Sequence, residues 1–404
     1  VLKLSDHANL GRAFGREPQG RAVFVPYAIP GEVVRIQIVE EHRSWLLGYP
    51  LEILEPSPRR VEPRCRHFGE CGGCHYQHME YTAQLEAKAR VVAQQLERIG
   101  GLQNPPVEAA LPSPSPWNSR NQLQFSLDEQ GRLGFHAARS DQIVAIQECH
   151  LPEPPIADLW PRIDLQAGVP IERITLRCTP DQELMVIFIS QSPPEVQMAL
   201  DLPASLVWLD PGGAAVLAGQ GFLVHRVGEH DFQVSAGSFF QVNSALTPTL
   251  VDHVLDMLDP LEGQRYYDLY AGVGLFSVFL AERGARVTAV EGSPWAAADF
   301  EINLDPYPDI ELYQADVAQA LPALGPGPAG LIVDPPRAGL GRGVVEGLAR
   351  LDPPKLVYVS CDPATMARDA RLLVEQGFRL QRVVPLDMFP QTYHVETVSL
   401  WLRG

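Results

Sequence analysis

Tyr266-Tyr267-Asp268-Leu269-Tyr270-Ala271-Gly272-Val273-Gly274-Leu275 is the stretch on which the fold turns. Residues 266–269 make a short apolar run of strand type, two glycines follow, and Leu275–Glu282 carries a helical pattern. A strand that turns through glycine into a helix leaves backbone N–H groups at a helix N-terminus, where a ligand can approach closely. The alternation recurs downstream. Residues 287–290, 310–313, 331–333 and 356–359 read as strands, and 295–304, 344–351 and 364–375 as helices. From about residue 236 the chain therefore reads as a doubly wound, Rossmann-like α/β domain, with ligands expected at the carboxyl ends of a parallel sheet.

Acidic residues fall at those ends. Glu291 ends the second strand, where a carboxylate would accept ribose hydroxyls, and Asp316 lies beyond the third, in reach of an adenine amine. Asp334 follows the fourth, in Asp334-Pro335-Pro336-Arg337. The third glycine of a dinucleotide fingerprint is missing, since Leu275, Phe276 and Ser277 follow Gly274. Successive acids suit a cationic cofactor without phosphate, S-adenosylmethionine, better than NAD.

The fifth strand leads into Val359-Ser360-Cys361-Asp362-Pro363, and Glu396 follows in His394-Val395-Glu396. Asp-Pro-Pro followed by an aromatic would suggest methylation of an exocyclic amine. Here Arg337 takes that place, and amine methylation needs no cysteine. Cys361 instead suggests attack on an unactivated ring carbon, because C5 of a pyrimidine becomes nucleophilic only after a thiolate adds at C6. Glu396 is then the candidate base for the C5 proton. A free thiol of pKa about 8.5 is mostly protonated at neutral pH. The helix beginning at Pro363 would help a thiolate and Asp362 would oppose it. Alone, Cys361 reads as a buried structural cysteine, as Cys178 does, and Glu396 as a solvated loop carboxylate. Their placement in one sheet with a cofactor loop makes them a site.

Upstream the pattern differs. Residues 22–25, 33–39 and 45–54 are β-rich, with Pro30-Gly31-Glu32 at a turn, and Pro56-Ser57-Pro58 closes the unit. Residues 1–56 read as an OB-like β-barrel, with Arg12, Arg16, Arg21, Arg35 and Arg43 available for RNA, or else as a spacer or dimerisation barrel. Residues 61–235 form a central α+β unit. It contains a helix over 81–99 with Leu85, Ala89, Val92 and Leu96 at helical spacing, able to pack on the catalytic domain, and strands at 123–127, 132–136, 143–146, 174–178 and 184–189. Residues 236–404 complete the chain as the catalytic domain.

Within the central unit Cys65, Cys71, Gly72, Gly73 and Cys74 crowd together, and Cys149 follows far downstream. Close thiols around two glycines suit a metal centre. Spacing alone leaves an iron–sulfur cluster and a four-cysteine zinc site both open.

The net charge of -17 is uneven: residues 1–150 hold 16 Lys and Arg against 17 Asp and Glu, so the acidity belongs to the rest. A local basic face near the N-terminus stays possible. No apolar run approaches a membrane span, and Val1–His7 lacks the apolar core of a secretory signal. A cytoplasmic protein, with no membrane and no obligate protein partner, is expected.

The ordered motifs Pro30-Gly31-Glu32, Cys65…Cys71-Gly72-Gly73-Cys74, Glu148-Cys149, Phe239-Phe240-Gln241-Val242-Asn243, Asp334-Pro335-Pro336-Arg337-Ala338-Gly339, Ser360-Cys361-Asp362-Pro363 and His394-Val395-Glu396-Thr397 cover nearly the whole chain. They resemble the RNA uridine-C5 methyltransferases, in particular the TRAM-domain, iron–sulfur branch acting on 23S rRNA. The resemblance implies a [4Fe-4S] cluster on Cys65, Cys71, Cys74 and Cys149, serving folding and RNA contact. It also implies S-adenosylmethionine lined by Gln241, Tyr270, Glu291, Asp316 and Asp334 beside Gly272 and Gly274, with Cys361 as nucleophile and Glu396 as base. The substrate would be a uridine flipped from a loop of 23S rRNA or its assembly intermediate. By the same resemblance, the N-terminal module and the cysteine cluster set the chain apart from a tRNA-specific branch. Cytosine-C5 methylation and a non-catalytic RNA-binding assembly factor are the competing readings.

Overall fold

Parallel strands at the C-terminal half impose the architecture. In the computed structural model, which describes residues 1–166, 168–193, 203–210 and 212–404, they form a seven-stranded sheet. Part of the expected 61–235 unit, residues 194–202, lies outside those described. The sheet runs Ile310–Gln314, Arg286–Glu291, Arg265–Leu269, Gly330–Val333, Lys355–Ser360, Glu396–Arg403 and Phe378–Leu386, in that spatial order. The first five strands are parallel, and Glu396–Arg403 runs antiparallel to both of its neighbours. The order reverses between Arg265–Leu269 and Gly330–Val333, which opens a crevice at their carboxyl ends. Helices lie on both faces over two buried clusters. One is built round Leu250, Phe276, Phe300 and Val359, the other round Leu269, Tyr358, Met366 and Trp401.

The N-terminal module is a six-stranded sheet in the order Leu2–Lys3, Val33–Glu41, Trp45–Glu55, Ala22–Pro26, Arg12–Arg16 and Asp6–Ala8. Glu32 locks it to the linker. Its buried carboxylate accepts from Ile29 N (2.9 Å), Ser57 N (3.1 Å) and the Arg60 guanidinium (2.6 and 2.8 Å). The central sheet also has seven strands, from Gly213–Ala218 at one edge to Ile143–Ala145 at the other.

Two expectations shift. The hairpin of Phe222–Val227 and His230–Ser235 forms its own sheet, and Val227, Phe232 and Val234 share a core with Leu250 and Phe276. Apolar packing therefore runs continuously across residue 235. In helix Tyr81–Arg98, Leu85 and Ala89 are only half-buried, whereas Gln84 and Lys88 are buried beside Val91, Val92 and Leu96. Lys88 faces Asp387, and Gln84 faces Gln391, so the inward face of this helix is partly polar.

Candidate functional site

Strand pairing brings the two expected catalytic residues together. Ser360 pairs with Thr397 across antiparallel strands, so Cys361 follows one strand where Glu396 begins its neighbour. Asp334 follows the next strand over, where Val333 pairs with Tyr358. Asp362 caps helix Pro363–Glu375, accepting from Ala364 N and Thr365 N at 2.9 Å. The helix end does not win at the thiol. Burial first, then the Glu396 and Asp334 carboxylates, push Cys361 up to about 11 against the opposing pull of Arg337. Glu396 is 4% exposed. Burial and Asp334 raise it well above the usual carboxylate range, and again Arg337 opposes. Arg337 itself is exposed and has no ion pair among the described residues. Sequence reading had noted it only for the aromatic it replaces.

The glycine loop is built by left-handed backbone at Tyr270 (φ 64°), Gly272 (φ 57°) and Gly274 (φ 93°). A side chain at Gly272 would meet open space, so this glycine borders the crevice. A Cβ at Gly274 would come within 2.4 Å of Leu304, which makes this position one of close helix packing. Glu291 accepts from Gly272 N (2.8 Å) and Ser293 N (2.6 Å), and Asp316 accepts from Ala318 N (2.8 Å). Tyr270 lies near Asp316. Asp268 is fully buried: one oxygen accepts from Ser277 Oγ at 2.7 Å and the other has no partner among the described residues. Burial raises Asp268 to about 7, and burial together with the Asp268 carboxylate raises Asp334. Neither the bond from Ser277 nor the isolation of Asp268 was evident from sequence. The crevice thus crowds buried carboxyl groups whose charged forms are not satisfied by donors among the described residues, which suits a cationic ligand. Gln241 is buried before helix Thr247–Leu258, with its carbonyl accepting from Asn121 Nδ2 at 2.9 Å. Its side chain joins none of these bonds among the described residues.

Cys65, Cys71, Cys74 and Cys149, all free thiols, line one cavity of about 80 Å³ with Gln77, Arg120 and Glu148. Gly72 lies against the strand Leu133–His136: its N–H donates to His136 O at 3.0 Å, and a Cβ there would meet that oxygen at 2.7 Å. Gly73 N donates to Cys71 Sγ at 3.4 Å, and Cys65 N to Gln77 Oε1 at 3.0 Å. Among the described residues no three His, Cys, Asp or Glu side chains converge as a single metal ion requires.

Known proteins share this plan. The profile described as tRNA (Uracil-5-)-methyltransferase matches residues 329–403, and the TRAM domain profile matches residues 1–51. An uncharacterized RNA methyltransferase of Thermotoga maritima is 32% identical, over 100% of this chain and 99% of the relative. The 23S rRNA (uracil(1939)-C(5))-methyltransferase RlmD of Shewanella piezotolerans is 31% identical, over 99% of this chain and 94% of the relative. Among solved structures, the Pyrococcus abyssi tRNA (uracil-54, C5)-methyltransferase in complex with S-adenosyl-L-homocysteine aligns over 100% of both chains, with a TM-score of 0.75 at 27% identity.

Proposed function

We propose that this chain, which belongs to the RNA uracil-C5 methyltransferase family, methylates C5 of a specific uridine in 23S rRNA with S-adenosylmethionine. The observation that carries this reading is the register that sets Cys361 beside Glu396 at the carboxyl edge of the sheet. Cys361, having lost its thiol proton to solvent, attacks C6 of the uracil as the thiolate, forming the S–C6 bond and making C5 enolate-like. When bound, S-adenosylmethionine supplies an electrophilic methyl group to C5. Glu396 then takes the C5 proton, the C5–C6 double bond re-forms, and the S–C6 bond breaks to return Cys361 as thiolate. Methyl has replaced hydrogen, and the proton rests on Glu396.

Gln241, Tyr270, Gly272, Gly274, Glu291, Asp316 and Asp334 would hold the cofactor. The fit rests on the unpartnered Asp268 oxygen and the open face at Gly272. Positive charge beside Asp334 and Glu396 lowers the proton affinity of Glu396 and Cys361, so the resting site is poised for a cationic donor.

Cys65, Cys71, Cys74 and Cys149 would hold a [4Fe-4S] cluster. The four cysteines line one cavity, and four thiolates match the four irons of such a cluster, each of which takes one. Its role here is structural, and residues 1–56 supply RNA affinity.

A tRNA substrate is the second reading. The Pyrococcus protein acts on tRNA yet matches this chain from end to end, so the N-terminal module no longer argues against tRNA. The higher identity of the Shewanella relative favours 23S rRNA.

The test is transfer of labelled methyl from S-adenosylmethionine to 23S rRNA and tRNA transcripts, followed by nucleoside analysis. Label in 5-methyluridine of 23S rRNA, abolished by Cys361→Ala, is expected. Label in tRNA alone moves the substrate, and label in 5-methylcytidine, or in neither RNA, overturns the proposal.

A further inference from the structure

Glu396 opens its strand directly after a loop, residues 387–395, that three other parts of the chain grip from outside the catalytic sheet. Gln391 is the centre of the grip. It is 3% exposed and holds a left-handed backbone (φ 67°) that a non-glycine residue adopts at a cost of about 1–3 kcal/mol. All four of its polar groups are engaged. Its N–H donates to Gln84 Oε1 (3.1 Å), and its Oε1 accepts from Gln84 Nε2 (3.0 Å). Its carbonyl accepts from both His75 N (2.9 Å) and Tyr76 N (3.0 Å), the residues that follow Cys74. Its Nε2 reaches Pro116 O at 3.3 Å.

Gln84 is held in turn. Its Nε2 also lies within hydrogen-bond distance of Tyr76 O (3.2 Å) and Met79 O (3.1 Å), three acceptors sharing two hydrogens, so swinging away from Gln391 would also give up the bond to Met79 O. Beyond Gln391 the chain tightens into a turn. Thr392 Oγ1 donates to Phe389 O (2.8 Å) and accepts from His394 N (3.2 Å), and Val395 is fully buried just before Glu396. A backbone strain retained under so many bonds is one that the surroundings impose.

We propose that Gln391 is a positioning residue for Glu396: through Gln84 and the N–H groups of His75 and Tyr76, helix Tyr81–Arg98 and the cysteine segment fix the loop that presents the base. The inference rests on the reading of Glu396 as the base that releases the methylated nucleotide. A base displaced by even an ångström is slow at its proton transfer, while RNA binding and thiol attack, which use other groups, proceed. The consequence is specific. Loosening this loop leaves the methylated RNA attached to Cys361, because the S–C6 bond cannot break until the C5 proton leaves.

The experiment compares wild type, Gln391→Ala, Gln391→Gly and Gln84→Ala on unmodified substrate RNA, with Glu396→Gln as reference. Turnover and RNA retained by the protein on denaturing gels are both measured. Gln391→Gly keeps the left-handed backbone at no strain and removes only the side-chain bonds, so it reports even if Gln391→Ala does not fold. Expected is a fall in kcat of about tenfold to a hundredfold with KM for RNA unchanged, together with a denaturation-resistant protein–RNA band. Gln391→Asn, which keeps an amide and tolerates this backbone, should recover part of the rate. If the Gln391 and Gln84 variants turn over like wild type, or slow without the band while Glu396→Gln shows it, the positioning role is wrong. If Glu396→Gln itself shows no band, the base assignment fails instead.

Discussion

At the scale of residues, the site is assembled in a state that does not yet react. A thiol held up to about 11 is overwhelmingly protonated at neutral pH, and burial beside Asp334 raises its neighbour Glu396 well above the usual carboxylate range. Both shifts come from burial and from carboxylates crowded at the strand ends, so both should relax when positive charge arrives. The pH dependence has a definite sign. Alkylation of Cys361 by iodoacetamide in the free protein should keep rising with pH towards about 11. Adding S-adenosylmethionine should move that rise to lower pH. An alkylation rate already level at neutral pH would show that the thiol is not suppressed. The positions of Cys361 and Glu396 were legible because each adjoins the end of a strand. Their proton affinities were not, because these depend on Asp334 across the sheet and on a burial that no local pattern encodes.

Among the elements, helix Tyr81–Arg98 shows where periodicity misleads. Its limits are plain in sequence, and so is the glycine pair that follows it. Its inward face is not, since the hydrophobic spacing selects Leu85 and Ala89 while the structure buries Gln84 and Lys88. The reason lies some 300 residues downstream. Asp387 and the side chain of Gln391 need polar partners, and Lys88 and Gln84 of this helix supply them. Lys88 and Asp387 are both fully buried, and Lys88 Nζ also donates to Phe389 O at 3.0 Å. Lys88→Met should therefore destabilise the protein by about 3–5 kcal/mol, because it leaves the Asp387 carboxylate buried and unpaired. Pairing it with Asp387→Leu should recover much of that loss. Chemical denaturation of the single and double variants checks both statements, and a fully additive double variant would mean that the pair does not act as a unit. The parallel strands, by contrast, were readable to within a residue or so, because buried strands of this kind are continuous apolar runs closed by turns, whereas helices Thr247–Leu258 and Val317–Ala320 were not read. Ala204–Asp210, half-buried, and Gly213–Ala218, mostly exposed and rich in alanine, were not read as strands.

For the whole molecule, the puzzle is an RNA enzyme of net charge -17. The acidity sits beyond residue 150, and the N-terminal module keeps arginines free of carboxylates. Neither Arg12 nor Arg43 has an ion pair among the described residues. The double variant Arg12→Gln, Arg43→Gln should bind RNA more weakly and lower the salt dependence of binding by about one counterion per arginine, leaving S-adenosylmethionine binding intact. Titrations at several salt concentrations read this directly, and an unchanged slope would move the RNA path away from this module. No helix among the described residues is long and apolar enough to cross a membrane. What sequence could not supply at this scale is the contact between modules. The cysteine segment lies near helix Tyr81–Arg98 in sequence, but both are remote from the loop before Glu396 and meet it only through folding.

The most direct test of the central claim, covalent attack by Cys361 on a uracil ring, is a trap with substrate RNA carrying 5-fluorouridine. Fluorine at C5 cannot leave as a proton, so the reaction halts with the S–C6 bond in place. Incubation with S-adenosylmethionine and separation on a denaturing gel should give a shifted protein–RNA band that Cys361→Ala abolishes. Ordinary RNA methylated by the same preparation, with no such band on the fluorinated RNA, would contradict the account.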